Sequence, residues 1–553
     1  MAPRRSSRAP SAKPASKAAA ETTAPKPING ASKKRAASPE HQEPPPKRSR
    51  SVAQKPENDP PAPAPTRKPH SKAAATTAVA EPATKKARKL SPIREAQPAA
   101  PFRQLKPYFN PLPTPPPKHR PGLLPFAWGT GNFGQFGMGT DFLEEISKPR
   151  RNPWAEKEML DNTFGDDNAG MEFVVSGGLH TVFIDEKGTV WTCGVNDDAA
   201  LGRITQDVPD PNKPGAFLNV DDLTAIPHSL QTLVDEGFRA VKAVAGDSIC
   251  AAVSDKGELR VWGSFRGHEG SLGFSSGLKH QFTPVPILEL SHKPGDAEKV
   301  SSIAAGSNHL LVLTTHGNIY SWGAGEQSQL GRKVLERRKI HGTVPEKVTL
   351  GVRGRKAVTI GAGSFHSFAV DDTGDVWGWG LNSMGQTGTG YASSEEDLVQ
   401  LPKKVKNLSK EELGDDIVVQ IECGSQHTLF LLQSGKVYAV GRSNAGQLGL
   451  AEDSPAFKDG QVSPDFVTEP ALVAFPDPED PVVQISCGLH NSSAVTQGGA
   501  LYSWGQGVQG ELGLGDIEEV KTPRVVVRKD GGAWFASAVS CGGQHTIGLF
   551  RKK

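Results

Sequence analysis

Six histidines, His180, His309, His366, His427, His490 and His545, recur in one short sequence context. They are the largest set of side chains here that could bind metal or move protons. Metal ligands must converge, usually through short spacings, whereas these fall one per repeat of the chain. Ile249 fills the same slot in the remaining repeat. The set is therefore expected to be arranged around a ring, each imidazole positioning its repeat through a hydrogen bond, with no metal and no cofactor. The five cysteines, Cys193, Cys250, Cys423, Cys487 and Cys541, form no CxxC pair and lie in strand-like runs. They read as small buried hydrophobes in a reducing compartment. GxGxxG-like strings begin at Gly129 and Gly323, but they sit at turns without the strand-to-helix setting of a dinucleotide site. What remains is one segment that departs from its sister repeats, Arg266-Gly267-His268-Glu269.

The elements that must position these residues come from two alternating blocks. One pairs aromatic or aliphatic residues with a Gly and then a Gly-rich turn: FAWGTGNFGQFGMG from Phe126, VWTCGVNDDAALGR from Val190, RVWGSFRGHEGSLGF from Arg260 and IYSWGAGEQSQLGR from Ile319. It returns from Val376, Val437 and Leu501, giving seven copies at a period of roughly 60 residues. The other block also occurs seven times, from SGGLHTVFI at Ser176 to CGGQHTIGL at Cys541. Each copy joins a Gly turn to a short apolar run that reads as a half-buried strand. Hairpin turns such as Asp185 to Gly188 and Asp255 to Gly257 link the second block to the first. The repeats open with a first block that has no partner before it and end with a second block that has none after it. If those two halves pair, a ring of seven blades closes and no long sheet edge stays open. The expected fold class is all-β, a seven-bladed β-propeller with an N-terminal disordered basic tail.

Composition places the boundary near residue 120, giving a tail over 1–120 and a propeller over 121–553. Residues 1–120 hold 25 Lys plus Arg against 7 Asp plus Glu and are crowded with Pro, Ala and Ser. Such a segment buries too little apolar surface to offset its ordering entropy, which is the reason to expect disorder. The remainder holds 38 basic and 53 acidic residues, so the overall +3 conceals a basic arm on an acidic body. That asymmetry points the arm toward nucleic acid or another polyanion. No apolar run approaches the ~20 residues of a membrane span, and the N-terminus has no signal-peptide core, so no membrane association is expected.

Within the arm, Lys33, Lys34 and Arg35 are followed by Lys47, Arg48 and Arg50, a spacing that resembles a bipartite nuclear-import signal. Lys85, Lys86, Arg88 and Lys89 form a further cluster. Ser91-Pro92-Ile93-Arg94 reads as a proline-directed phosphorylation site, with Ser38-Pro39 a weaker one. Phosphate at Ser91 would cancel one to two positive charges beside the second cluster and weaken binding to DNA or to an import receptor.

The two blocks, their number and their offset resemble the regulator of chromosome condensation family, over Phe126 to the C-terminus. The stretch AGDSICAAVSDKGELRVWGSFRGHEGSLGF, Ala245 to Phe274, extends that similarity well beyond the repeat. The resemblance implies a guanine-nucleotide exchange factor for the small GTPase Ran. It would sit on chromatin in the nucleus and serve nucleocytoplasmic transport and the mitotic assembly of spindle and nuclear envelope. It would not be an enzyme that makes or breaks bonds. The resemblance also implies that Phe265 to Leu272, led by Phe265 and Arg266, form a protruding β-wedge against the GTPase, with Asp247 bearing on exchange. Asn308 and Gln426 stand where family members commonly carry an acidic residue and a histidine, so they are expected GTPase contacts that have lost charge or titration. The implied partners are Ran, the nucleosome through histone dimer and DNA, and an import receptor; Arg332 to Arg338 with Lys339 is a candidate chromatin-facing loop. The alternative is a non-catalytic chromatin-binding or scaffold propeller that has lost exchange.

Overall fold

The second block of each repeat carries the turn between two antiparallel strands, and the first block supplies the strand that follows. In the computed structural model, which describes residues 106–390, 397–457 and 465–553, this gives seven four-stranded sheets. Blade 1 pairs Met171–Ser176, His180–Asp185 and Val190–Gly194 in sequence, with His228–Ser229 outermost. Blade 2 uses Ala240–Ala245, Ile249–Ser254, Leu259–Gly263 and Gln281–Val285. Blade 3 uses Val300–Ala305, His309–Thr314, Ile319–Gly323 and Glu346–Val348. Blades 4, 5 and 6 begin at Ala357, Val418 and Val482. The second strand of blades 1 to 6 is buried along its whole length, whereas the first is only partly buried.

Blade 7 closes the ring from both ends of the described chain. Trp534–Cys541 and His545–Lys552 supply its inner strands, Leu124–Thr130 and Glu145–Arg151 its outer ones. Phe126 lies opposite Gly548 and Trp128 opposite Thr546, the pairing expected from the two unmatched half-repeats.

Histidine side chains weld five of the seven blade boundaries. The Nε2 of His309 lies 2.7 Å from Ser367 Oγ, that of His366 2.9 Å from Thr428 Oγ1, and that of His427 3.0 Å from Ser492 Oγ. His545 reaches Thr181 at 2.8 Å, and His180 reaches Cys250 Sγ at 2.9 Å. Each hydroxyl donates onward to a carbonyl in the Gly-rich turn of the preceding blade, as Ser367 does to Gln329 O. The buried Trp379 indole donates to the same oxygen. Gly331 belongs to that turn because its φ of +62° is left-handed and a Cβ would lie 2.8 Å from the Trp379 indole nitrogen. Burial pushes these five imidazoles down to about 4 for His180 and about 3 for the other four, so they are neutral at physiological pH.

Two expectations need correction. In blade 6 the slot is filled by Asn491, the first residue of its strand, and His490 is one position earlier in the exposed turn. The sequence context slid by one residue because the pair His490-Asn491 offers two polar candidates for one slot. The break near residue 120 also falls late, since residues 106–120 are held on the propeller. Asn110 is buried and donates to Thr314 O and Ala357 O at 3.0 and 2.9 Å. Lys106 pairs with Asp296, Ser301 donates to Pro111 O, and Arg120 pairs with Glu186. A proline-rich strand lacks most amide donors and so reads as loose chain, but a few side-chain anchors suffice to dock it. The basic clusters and Ser38 and Ser91 lie outside the described residues.

Candidate functional site

Antiparallel strands put equivalent turns of every blade on the same face. The turns after the first strands, which carry Asp247, Asn308, Gln426 and His490, therefore share a face with the loops after the third strands. In blade 2 that loop is replaced by a small hairpin. Arg266–Gly267 pairs with Gly270–Ser271, and the amides of Leu272 and Gly273 both donate to Phe265 O. Gly263 starts it because a Cβ there would lie 1.9 Å from Ser248 O. The segment from Phe265 to Leu272 thus forms a small hairpin, whose residues differ in exposure. Phe265 is completely buried, 5.4 Å from the Phe274 ring, and anchors the hairpin from below. It has no surface to offer a partner. Arg266, His268 and Glu269 are exposed.

Three of the residues singled out in the sequence meet at the base of this hairpin, at the mouth of the central channel. Asn308 donates from Nδ2 to Asp247 Oδ2 at 3.0 Å and accepts the Arg266 amide on Oδ1 at 2.9 Å. The Arg266 guanidinium pairs with Asp198 of blade 1 at 3.2 Å. Asp247 is exposed by surface area, yet the protein around its carboxyl group replaces enough water to lift its pKa above the usual carboxylate value. Hydrogen bonds from Ser307 and Asn308 and the Arg266 charge oppose that rise. Gln426 stands apart in blade 5, where it accepts from Arg442 Nη1 at 3.0 Å. Arg442 also depresses His490 in blade 6, after burial. Asp198, Glu326 and Arg442 were not anticipated, since each occupies a variable position of a Gly-rich turn where charge alone marks no role.

The blade 2 to blade 3 boundary is unlike the welded ones. Ile249 and Leu310 stand where other blades place the histidine and its hydroxyl partner, and the buried Trp322 indole has no acceptor among the described residues. The hairpin has displaced the turn that would supply that acceptor. Its own bonds to blade 3 span the boundary instead: Arg266 N–H to Asn308, and His268 N–H to Glu326 at 2.9 Å. Arg332 is held within its own loop region by Gly342 O, Val344 O and Glu346, whereas Lys339 pairs with Glu326 and reaches across to Glu269 of the hairpin.

Among the described residues no three His, Cys, Asp or Glu side chains gather as a ligand set, and no helix is long and apolar enough to cross a membrane. All five thiols are raised by burial and stay protonated. The arrangement can present a stiff polar hairpin to a macromolecule.

Residues 125–548 match the RCC1-like domain. The chain belongs to that family. It is 33% identical over 430 residues to Protein pim1 of Schizosaccharomyces pombe, covering 76% of this chain and 73% of the relative. It is 31% identical over 441 residues to the Guanine nucleotide exchange factor SRM1 of Saccharomyces cerevisiae, covering 76% and 86%. The crystal structure of Prp20p from S. cerevisiae, described with its binding properties to Gsp1p and histones, superposes with a TM-score of 0.66 at 29% identity, covering 81% and 93%. The same yeast protein bound to Kap60 gives 0.67 at 27% identity, covering 84% and 97%.

Proposed function

We propose that this RCC1-like chain is a guanine-nucleotide exchange factor for Ran. The observation that carries the reading is the hairpin Arg266–Ser271, braced on the face where Asp247, Asn308 and Arg266 meet. A GTPase grips its nucleotide largely through phosphate contacts to backbone amides, a lysine and Mg²⁺. A partner speeds release by binding the loosened form more tightly than the loaded one. An acceleration of about 10⁴ to 10⁵ needs roughly 5.5 to 7 kcal/mol of such differential binding. A stiff wedge suits this task because its shape is fixed before the partner arrives, and no ordering cost is left to oppose binding. The process makes and breaks no covalent bond, so neutral Asn308 can replace a charged contact residue.

The chain would act in the nucleus on chromatin, with the basic arm neutralising DNA phosphates without regard to sequence and offering an import receptor its lysine and arginine clusters. The yeast relative described with its binding to Gsp1p and histones, and bound to Kap60, supports the GTPase, chromatin and import-receptor assignments. Mixing the full chain with Ran loaded with fluorescent GDP tests the reading. Release well above the spontaneous rate is expected; release at the spontaneous rate would leave a scaffold propeller without exchange activity.

A further inference from the structure

We propose that Glu326 is a positioning residue for exchange, holding the tip of the hairpin in register from the neighbouring blade. The inference rests on the reading that this hairpin works on the GTPase. Glu326 belongs to the Gly-rich turn of blade 3 and crosses a boundary that lacks a histidine weld. Its Oε2 accepts the His268 amide at 2.9 Å and lies 3.7 Å from the His268 Nε2. Gly267 packs so closely that a Cβ there would stand 3.1 Å from Oε1. Lys339 holds Oε1 from the other side at 3.0 Å and also reaches Glu269 at 3.6 Å.

The contrast in exposure shows which way the support runs. The Glu326 side chain is 12% exposed, while His268 and Glu269 at the tip are 60% and 88% exposed. Burial works against ionising Glu326, but the His268 amide and Lys339 outweigh it and hold the carboxyl below its usual range. A charged acceptor is therefore fixed under the tip rather than displayed to solvent. A hairpin of two paired residues per strand cannot hold its own shape in water. Arg266 N–H to Asn308 fixes its base, and His268 N–H to Glu326 fixes its tip. Removing the second bond leaves the tip to the exposed side-chain contacts of His268 with Gln327, at 3.1 Å, and of Glu269 with Lys339, so its backbone samples positions from which it cannot displace a phosphate-binding loop, although the encounter surface is intact. Positioning losses of this kind appear in turnover rather than in recognition.

The test compares full-length wild type, Glu326→Ala and Glu326→Gln in release of fluorescent GDP from Ran, with thermal melts and backbone deuterium exchange of the 263–272 segment. Glu326→Ala is expected to lower kcat about tenfold with KM changed less than about twofold, an unchanged melting temperature and faster deuterium uptake in the hairpin. Glu326→Gln keeps an acceptor for the amide and is expected to restore kcat to within about threefold of wild type. An active wild type with an equally active Glu326→Ala overturns the inference alone. Equal losses in both variants accompanied by a lower melting temperature also overturn it, because the residue would then be structural. A wild type without exchange activity overturns the exchange reading, and the inference with it.

Discussion

Asp247 and Asn308 act as one unit because the amide can donate to the carboxylate and accept the Arg266 amide at the same time. Asp247→Ala removes the acceptor that orients Asn308 and frees the hairpin base. Exchange should fall about tenfold or more while the melting temperature moves little, since the residue lies at the channel mouth and not in the core. Kinetics of GDP release alongside a thermal melt measure both; a wild-type rate for the variant would remove Asp247 from the site. The sequence pointed to Arg266 because its segment interrupts a repeat, and to Asp247 and Asn308 through the family resemblance. It could not show that Phe265 is an anchor, as exposure depends on Phe274, nine residues away and beyond the hairpin. Nor could it join Glu326 and Asp198 to the hairpin, because each comes from a different blade.

The welds between blades make stability depend on pH. Five buried imidazoles have pKa values near 3 to 4 in the folded chain, against about 6.5 when unfolded. The unfolded chain therefore binds more protons than the folded one between these limits. Stability should be fully present above about pH 6.5 and fall as pH drops toward 3 to 4, by up to about 1.4 kcal/mol per histidine per pH unit. Urea titrations at pH 7.5 and 5.5 read this directly, and a curve flat across that range would contradict it. His366→Asn, which copies what blade 6 already uses at Asn491, should make the dependence shallower. One histidine per repeat in the sequence suggested a positional role. Its inter-blade direction was hidden because the partner hydroxyl lies about sixty residues away, as Ser367 does from His309.

At the scale of the whole molecule, closure depends on two chain ends that meet in blade 7. Phe126 packs against both Trp534 and Phe550, at 4.9 and 4.6 Å between ring centres, and Trp128 is fully buried beside them. Removing residues 545–553 strips the strand that joins the two halves and should lower the melting temperature by about 10 °C or more, with loss of a single cooperative transition. A truncated chain that melts like the full one would refute closure as the stabilising device. The ring was legible because a count of half-repeats is a topological statement that needs no contact to be known. The docking of Lys106 to Arg120 was not, since composition averages over the few anchors, chiefly Asn110, that decide it.

The proposed function comes down to one expectation, that a braced hairpin in blade 2 drives nucleotide from Ran. The most direct measurement is GDP release from Ran by the intact chain and by one in which Arg266–Ser271 is replaced with a short glycine linker. The account predicts strong acceleration by the first and release near the spontaneous rate with the second, both chains melting at similar temperatures. Equal acceleration by the two would contradict it.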